Sequence, residues 1–187
     1  MIGSSGAAHH RPVTTVYVPE PSLILLVGAA GAGKSTFAVR HFAPDEILSS
    51  DGFRAVLSGD EGNQAVSRAA FGLLNRALER RLGAGLLTVV DATNADRRAR
   101  LDLVRRARAA GVPAVGLVLA LPQAIVLARN AARPRRVDEA VIRTQLERIR
   151  EALGPDGLAV EGFTEIWVGR TPAEIDGVTI ERVRRRV

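Results

Sequence analysis

The stretch Leu23-Ile24-Leu25-Leu26-Val27-Gly28-Ala29-Ala30-Gly31-Ala32-Gly33-Lys34-Ser35-Thr36 joins five apolar residues to a glycine-rich turn and then to a helical pattern. So short an unbroken apolar run, bounded by glycine, predicts a strand buried on both faces. The turn fits G-x-x-x-x-G-K-[ST] in full and stands between strand and helix, the context that gives the pattern its meaning. Its glycines allow a tight turn and a close approach of backbone N–H groups to phosphate oxygens. A helix beginning near Gly33 directs its positive end at the same anion. Lys34 is a compact charge on a flexible stem that can reach between β- and γ-phosphates, where a planar guanidinium fits poorly. Ser35 offers a hydroxyl to Mg²⁺, and Thr36 follows as a second small polar residue. Gly28, Ala29, Ala30, Gly31, Ala32, Gly33, Lys34, Ser35 and Thr36 are therefore the expected site for ATP or another nucleoside triphosphate. Taken alone, the motif does not separate kinase, ATPase and GTPase.

Composition narrows the surroundings of that motif. The chain has 187 residues, of which 26 are basic and 20 acidic, and Lys34 is its one lysine against 25 arginines. A sequence that writes generic positive charge as arginine gives its single lysine a chemical reason. Hydrophobic residues at 47% with 25% charged residues suit a globular domain, and the length suits one domain. The absence of cysteine excludes disulfides, cysteine zinc sites and thiol nucleophiles. No apolar run reaches the roughly 18 residues of a membrane helix, and residues 1–20 lack the apolar core of a signal peptide, so a cytoplasmic location is expected. The net charge of +6 suits a polyanionic partner.

Working outward, residues 1–21 read as a flexible N-terminal tail, with Gly-Ser-Ser-Gly, the pair His9-His10 and three prolines. Two histidines with no further ligands do not make a metal site. Residues 22–187 read as one domain. Short apolar runs at 23–27, 47–49, 86–90, 115–119 and 164–168 alternate with helical patterns at 34–41, 52–57, 64–82, 95–110, 122–131 and 138–153. A further run at 178–183 is expected at the sheet edge. This alternation predicts an α/β fold, a parallel sheet of about five strands covered by helices on both faces.

Ligands of such sheets bind beyond the carboxyl ends of the strands. Asp51 follows the second run and should share a crevice with Lys34. There it would orient an acceptor hydroxyl and take its proton, or else simply cap the next helix. Arg54, one turn on, would hold an acceptor phosphate or stand in solvent. Leu86-Leu87-Thr88-Val89-Val90-Asp91 has the shape of a Walker B strand, which puts Asp91 beside Ser35 at the Mg²⁺. Thr93 and Asn94 then serve the metal shell or cap a helix. Arg129 and Arg133, four apart on one helix face, would form a lid over the transferred phosphoryl group or a solvated basic turn. On the 95–110 helix, Leu101, Val104 and Ala107 are expected to face inward, with Arg97, Arg98, Arg100, Arg105, Arg106 and Arg108 on a solvated face.

In this order the segments resemble the kinase module of bacterial polynucleotide kinase-phosphatase, an RNA end-healing family, over residues 22 to about 183. The resemblance rests on Gly-Ala-Ala-Gly-Ala-Gly-Lys-Ser-Thr-Phe-Ala at 28–38, Ser-Ser-Asp-x-x-Arg at 49–54 and Asp-Glu-Gly-Asn-Gln at 60–64. It continues with Ala-Ala-Phe at 69–71, Thr-Val-Val-Asp-Ala-Thr-Asn at 88–94 and Arg-Asn-x-x-Arg at 129–133. It implies a P-loop kinase fold with an arginine-bearing helical lid. It also implies transfer of the γ-phosphoryl group of ATP to the 5′-OH end of single-stranded RNA or DNA, in nucleic-acid repair. Asp51 would be the general base, Arg54 and Gln64 would contact the acceptor, and Lys34, Ser35, Arg129 and Arg133 would hold the triphosphate and Mg²⁺.

Members of that family continue into phosphatase and ligase modules. No motif of either is visible here, so the chain is expected to be an excised domain or a free-standing relative. Two other readings of the same residues stand: a small-molecule kinase for a sugar, nucleoside or antibiotic, and a non-catalytic nucleotide-binding or ATPase module. Aromatic residues are only 4% of the chain and form no ladder for stacked bases, so an acceptor strand would be held through its phosphates.

Overall fold

Strand β2 (Leu23–Val27) is apolar at every position and buried at every position, the mark of a strand covered on both faces. In the computed structural model, which describes residues 14–184, it is the middle of a five-stranded sheet. The elements run β1 (Thr15–Glu20), β2, α1 (Lys34–His41), β3 (Ile47–Ser49), α2 (Ser50–Ser58), α3 (Ser67–Gly83) and β4 (Thr88–Asp91). They continue with α4 (Arg97–Ala109), β5 (Ala114–Leu119), α5 (Gln123–Ala131), α6 (Glu139–Ala152), β6 (Glu165–Gly169), α7 (Pro172–Gly177) and β7 (Thr179–Arg184).

The sheet order is β3-β4-β2-β5-β6 and every pairing is parallel. Strands β4 and β5 are buried throughout as β2 is, so helices must cover both faces. Helix α3 shows how: Ala70, Leu74, Leu78 and Leu82 recur every four residues, and this stripe packs on β3 and β4. The chain leaves β2 toward β3 on one side and later crosses from β4 to β5 on the other. That reversal opens a crevice at the carboxyl end of β2.

Three expectations need correction. Thr15–Glu20 is a strand, although the tail was expected to reach residue 21. It pairs in parallel with β7 from Thr15↔Thr179 to Glu20↔Arg184, and Val16 and Val18 turn inward. The alternation Thr-Val-Tyr-Val carries the strand signal. Pro19 obscured it, although proline is tolerated in a strand on a sheet edge. Residues 1–13, with His9-His10, and residues 185–187 lie outside the described residues.

Strand β7, expected at the edge of the main sheet, instead forms this separate two-stranded sheet with β1. Helix α4 buries Arg100, Leu103, Val104 and Ala107, so Arg100 leaves the solvated face and Leu103 replaces Leu101 in the core. Arg100 is buried because Glu161 meets it: Nε and Nη2 donate to the two carboxylate oxygens at 2.7 and 2.6 Å. Its Nη1 donates to the carbonyls of Asn94 and Ala95. No helix among the described residues is long and apolar enough to cross a membrane.

Candidate active site

The loop after β2 has the backbone its sequence requires. Gly31 and Gly33 take φ of 87° and 96°, which side chains rarely adopt. A Cβ at Gly31 would stand 2.9 Å from the Val126 carbonyl, and one at Gly28 would stand 3.1 Å from that of Leu119. These glycines therefore let the loop lie against β5 and α5. Helix α1 starts at Lys34 with no acidic residue in its first turn, so its unpaired N–H groups face the cleft with their positive end undiminished.

Lys34 is buried, and its ammonium donates to the Ala29 carbonyl at 3.0 Å. Burial lowers its pKa to about 8, although Asp91 and Asp51 pull the other way; Arg133 adds to the lowering. Asp91 ends β4 in register with Leu26, so strand pairing sets it beside the loop. Burial raises its pKa, while the nearby Ser35 hydroxyl and the charge of Lys34 act against the rise. A buried carboxylate facing a serine hydroxyl is a hard oxygen donor set. No cluster of three or more Asp, Glu, His or Cys suited to a metal occurs among the described residues. The oxygen donors of Ser35 and Asp91 fit Mg²⁺, which takes one or two protein ligands and completes its shell with phosphate oxygens and water.

Asp51 lies in the first turn of α2. It is not the cap: the Ser49 hydroxyl accepts from the Gly52 N–H at 3.3 Å and takes that role. This frees Asp51 to face the cleft, where Arg54 Nη2 donates to its Oδ1 and the Ser50 hydroxyl reaches the same oxygen at 3.3 Å. Arg54 is itself buried, its Nε donating to the Glu61 carbonyl at 2.7 Å. Gln64 is exposed, and its Oε1 accepts from Ser67.

Helix α5 ends at Ala131, so Arg129 sits in its last turn while Arg133 lies in the turn beyond; they do not share a helix face as expected. Arg129 Nη1 donates to the Ala32 carbonyl at 3.3 Å, which brings it over the loop. The turn is held by buried Asn130, whose Nδ2 donates to the Val137 carbonyl at 2.8 Å and whose Oδ1 accepts the Val137 N–H at 3.0 Å. Gln145 of α6 accepts the Ala30 N–H at 2.9 Å. Asn94, at φ 46°, donates to the Leu26 and Val90 carbonyls and so ties β2 to β4, while Thr93 faces the cleft.

These side chains surround one cleft of about 970 Å³. Lys34, Ser35, Thr36, Asp51, Arg54, Gln64, Asp91, Arg129 and Arg133 all line it, with Ala30 to Gly33. Gly28 and Ala29 do not, because they pack behind the loop. Seven cationic side chains line the cleft against three carboxylates, a balance that favours a polyanion. Phe71 of the Ala-Ala-Phe motif also lines it, as do Arg135 and Arg136, which continue the arginine segment after Arg133. Arg40, Gln145 and the α7 residues Ile175 and Asp176 line it too and were not foreseen. Thr171-Pro172-Ala173-Glu174, with Thr171 accepting from the Glu174 N–H, was the available signal for α7.

A parallel sheet in this order, with a phosphate-binding loop and lysine beyond its middle strand and an arginine turn above, is a P-loop kinase-like fold. Residues 23–153 match the AAA domain family AAA_33, and the chain belongs to it. No curated protein matches the sequence. A chain of the Pnkp1/Rnl/Hen1 RNA repair complex is similar at 23% identity and a TM-score of 0.61, over 73% of this chain and 47% of that one. This chain thus spans about half of that protein's length. Shikimate kinase from Acinetobacter baumannii is similar at 21% identity and a TM-score of 0.51, over 83% of this chain and 88% of the kinase. A gluconokinase from Sinorhizobium meliloti is similar at 20% identity and a TM-score of 0.50, over 84% and 89%. At these identities the likenesses establish the fold.

Proposed function

We propose that this chain is a polynucleotide 5′-kinase that transfers the γ-phosphoryl group of ATP to the 5′-OH end of single-stranded RNA or DNA, as nucleic-acid repair requires. The observation that carries the reading is the placement of Asp51 and its partner Arg54 in the cleft that holds Lys34, Ser35 and Asp91. Both hydrogen bonds to Asp51 fall on Oδ1, which leaves Oδ2 to receive a proton. The similarity to a chain of an RNA repair complex and the surplus of arginine in the cleft support a nucleic-acid acceptor.

In the proposed reaction, Asp51 orients the acceptor hydroxyl and takes its proton as the hydroxyl oxygen bonds to the γ-phosphorus. The bond from that phosphorus to the β–γ bridging oxygen breaks, and ADP departs. The N–H groups of the loop, Lys34, Arg129 and Arg133 neutralise the charge on the phosphoryl oxygens, and Arg54 holds the first phosphate of the acceptor. Mg²⁺, held by Ser35 and Asp91 when bound, would supply further neutralisation of that charge. Phosphatase and ligase modules are partners in the same reading, in the same chain or as separate proteins.

An acceptor panel tests it. With γ-labelled ATP and Mg²⁺, a short 5′-OH strand should outcompete free nucleosides, gluconate and shikimate as acceptor. Preference for a sugar or nucleoside would favour a small-molecule kinase. ATP turnover with no labelled acceptor would favour a stand-alone ATPase.

A further inference from the structure

Besides Asp51 and Arg54 the cleft is lined by side chains that the proposed phosphoryl transfer does not use. Helix α3 packs against α2, the helix that carries Asp51 and Arg54. Its buried stripe begins at Ala70, which turns the next residue, Phe71, away from the core and into the cleft. Phe71 is 43% exposed. Among the described residues Phe37 is the other aromatic that lines the cleft, and at 2% exposure it offers no face to a ligand. An accessible ring inside a cationic cleft loses nothing by exposure if a flat, partly polar group covers it.

The second feature lies on the facing loop. A Cβ at Gly62 would fall within the Arg135 guanidinium, so Arg135 lies against the backbone at that position. The neighbouring Glu61 carbonyl is the one that Arg54 Nε holds. Arg54 and Arg135 therefore meet the same short loop, and both line the cleft. Among the described residues Arg135 makes no ion pair, whereas Arg54 pairs with Asp51. A guanidinium set against backbone, with no carboxylate paired to it among the described residues, suits a phosphate.

We propose that Phe71 and Arg135 form a second acceptor subsite, in which the ring stacks on a nucleobase next to the reacting end and the guanidinium binds the phosphate beyond the one at Arg54. This rests on the polynucleotide reading and makes the minimal good acceptor a strand of two or three nucleotides rather than a nucleoside. Stacking on one ring tolerates any base, so sequence preference is weak.

The test uses the full chain and 5′-OH trinucleotides that carry all bases, an abasic sugar at the first or second position, or an uncharged methylphosphonate at the second linkage. In the wild type, loss of the base at one of those positions raises KM roughly ten-fold. In Phe71→Leu the base-bearing strand already shows the raised KM and base loss adds little, while Phe71→Trp keeps the dependence. In Arg135→Gln the methylphosphonate no longer costs affinity. A 2-aminopurine base at the stacking position should also be quenched on binding to the wild type, a readout that needs no variant to fold.

Equal sensitivity to base loss in wild type and Phe71→Leu, or an unquenched 2-aminopurine in a bound strand, overturns the subsite while 5′-kinase activity stands. Failure of the wild type to bind or label any 5′-OH strand overturns both readings together.

Discussion

Arg54 and Asp51 form an ion pair one turn apart on α2, and the arginine is the buried member of the two. Arg54 is fixed by the Glu61 carbonyl, so it positions the carboxylate rather than following it. Oδ1 of Asp51 is thereby occupied, and Asp51 lines the cleft.

The pair should behave as one unit. Arg54→Gln is expected to lower kcat/KM for the strand acceptor by about 100-fold, partly through lost phosphate binding and partly through a mispositioned Asp51. Combined with Asp51→Asn, the loss should fall well short of the product of the two single losses. A double-mutant cycle on kcat/KM checks this; fully multiplicative losses would mean that the two residues act independently.

The lysine gives a pH dependence with a definite sign. Its folded pKa of about 8 lies below the ordinary value of 10.5. Between those values the unfolded chain holds the proton and the folded chain does not, so stability rises with pH across the window. The cost of burying the charge is fully present below about pH 8. Triphosphate affinity should run the opposite way, weakening above pH 8 as the ammonium loses its proton. Calorimetric titration of ATP across pH 7–10 reads this. Lys34→Arg should flatten the profile and still transfer phosphate roughly 100-fold more slowly than the wild type.

Removing one partner of the Arg100–Glu161 pair should be costly, because both side chains are almost fully buried, at 1% and 0% exposure. Glu161→Gln is expected to destabilise by about 3–5 kcal/mol and to lower the melting temperature by about 10 °C. Arg100→Met with Glu161→Leu should recover much of that loss, since it leaves no unpaired charge. Thermal melts of the wild type and both variants decide the matter.

Asn130 closes the arginine turn onto itself through both hydrogen bonds to Val137. Asn130→Leu should release the turn that carries Arg133, Arg135 and Arg136. The expected result is a roughly ten-fold weaker KM for ATP with a smaller loss in melting temperature, measured by initial rates and thermal melts.

The sheet and the loop were legible because their signals are local. Buried strands read as unbroken apolar runs, and the glycines and Lys34 sit at spacings that allow little else. Asp51 and Asp91 were expected from the rule that sites lie beyond strand ends, and Arg129 from its spacing to Arg133 and the family resemblance. Other features depend on partners far along the chain. Arg100 looked like one more solvated arginine because its partner is 61 residues away. The pairing of β1 with β7 joins the two ends of the described chain, and no local pattern announces it. Phe71 closes the Ala-Ala-Phe motif at 69–71, but only the burial of Ala70 beside it tells which way the ring turns. Arginine carries little information in this sequence, so Arg54 and Arg135 acquire roles from what holds them, whereas Lys34 is distinguished by being the one lysine.

In the proposed phosphoryl transfer everything turns on Asp51, which accepts the proton of the acceptor hydroxyl. The most direct measurement is the single-turnover rate of label transfer from γ-labelled ATP to a 5′-OH strand by wild type and Asp51→Asn, with ATP affinity measured alongside. Asp51→Asn should lose about 100- to 10,000-fold in the rate with ATP affinity within a few-fold of wild type. Transfer by Asp51→Asn at the wild-type rate would contradict that role.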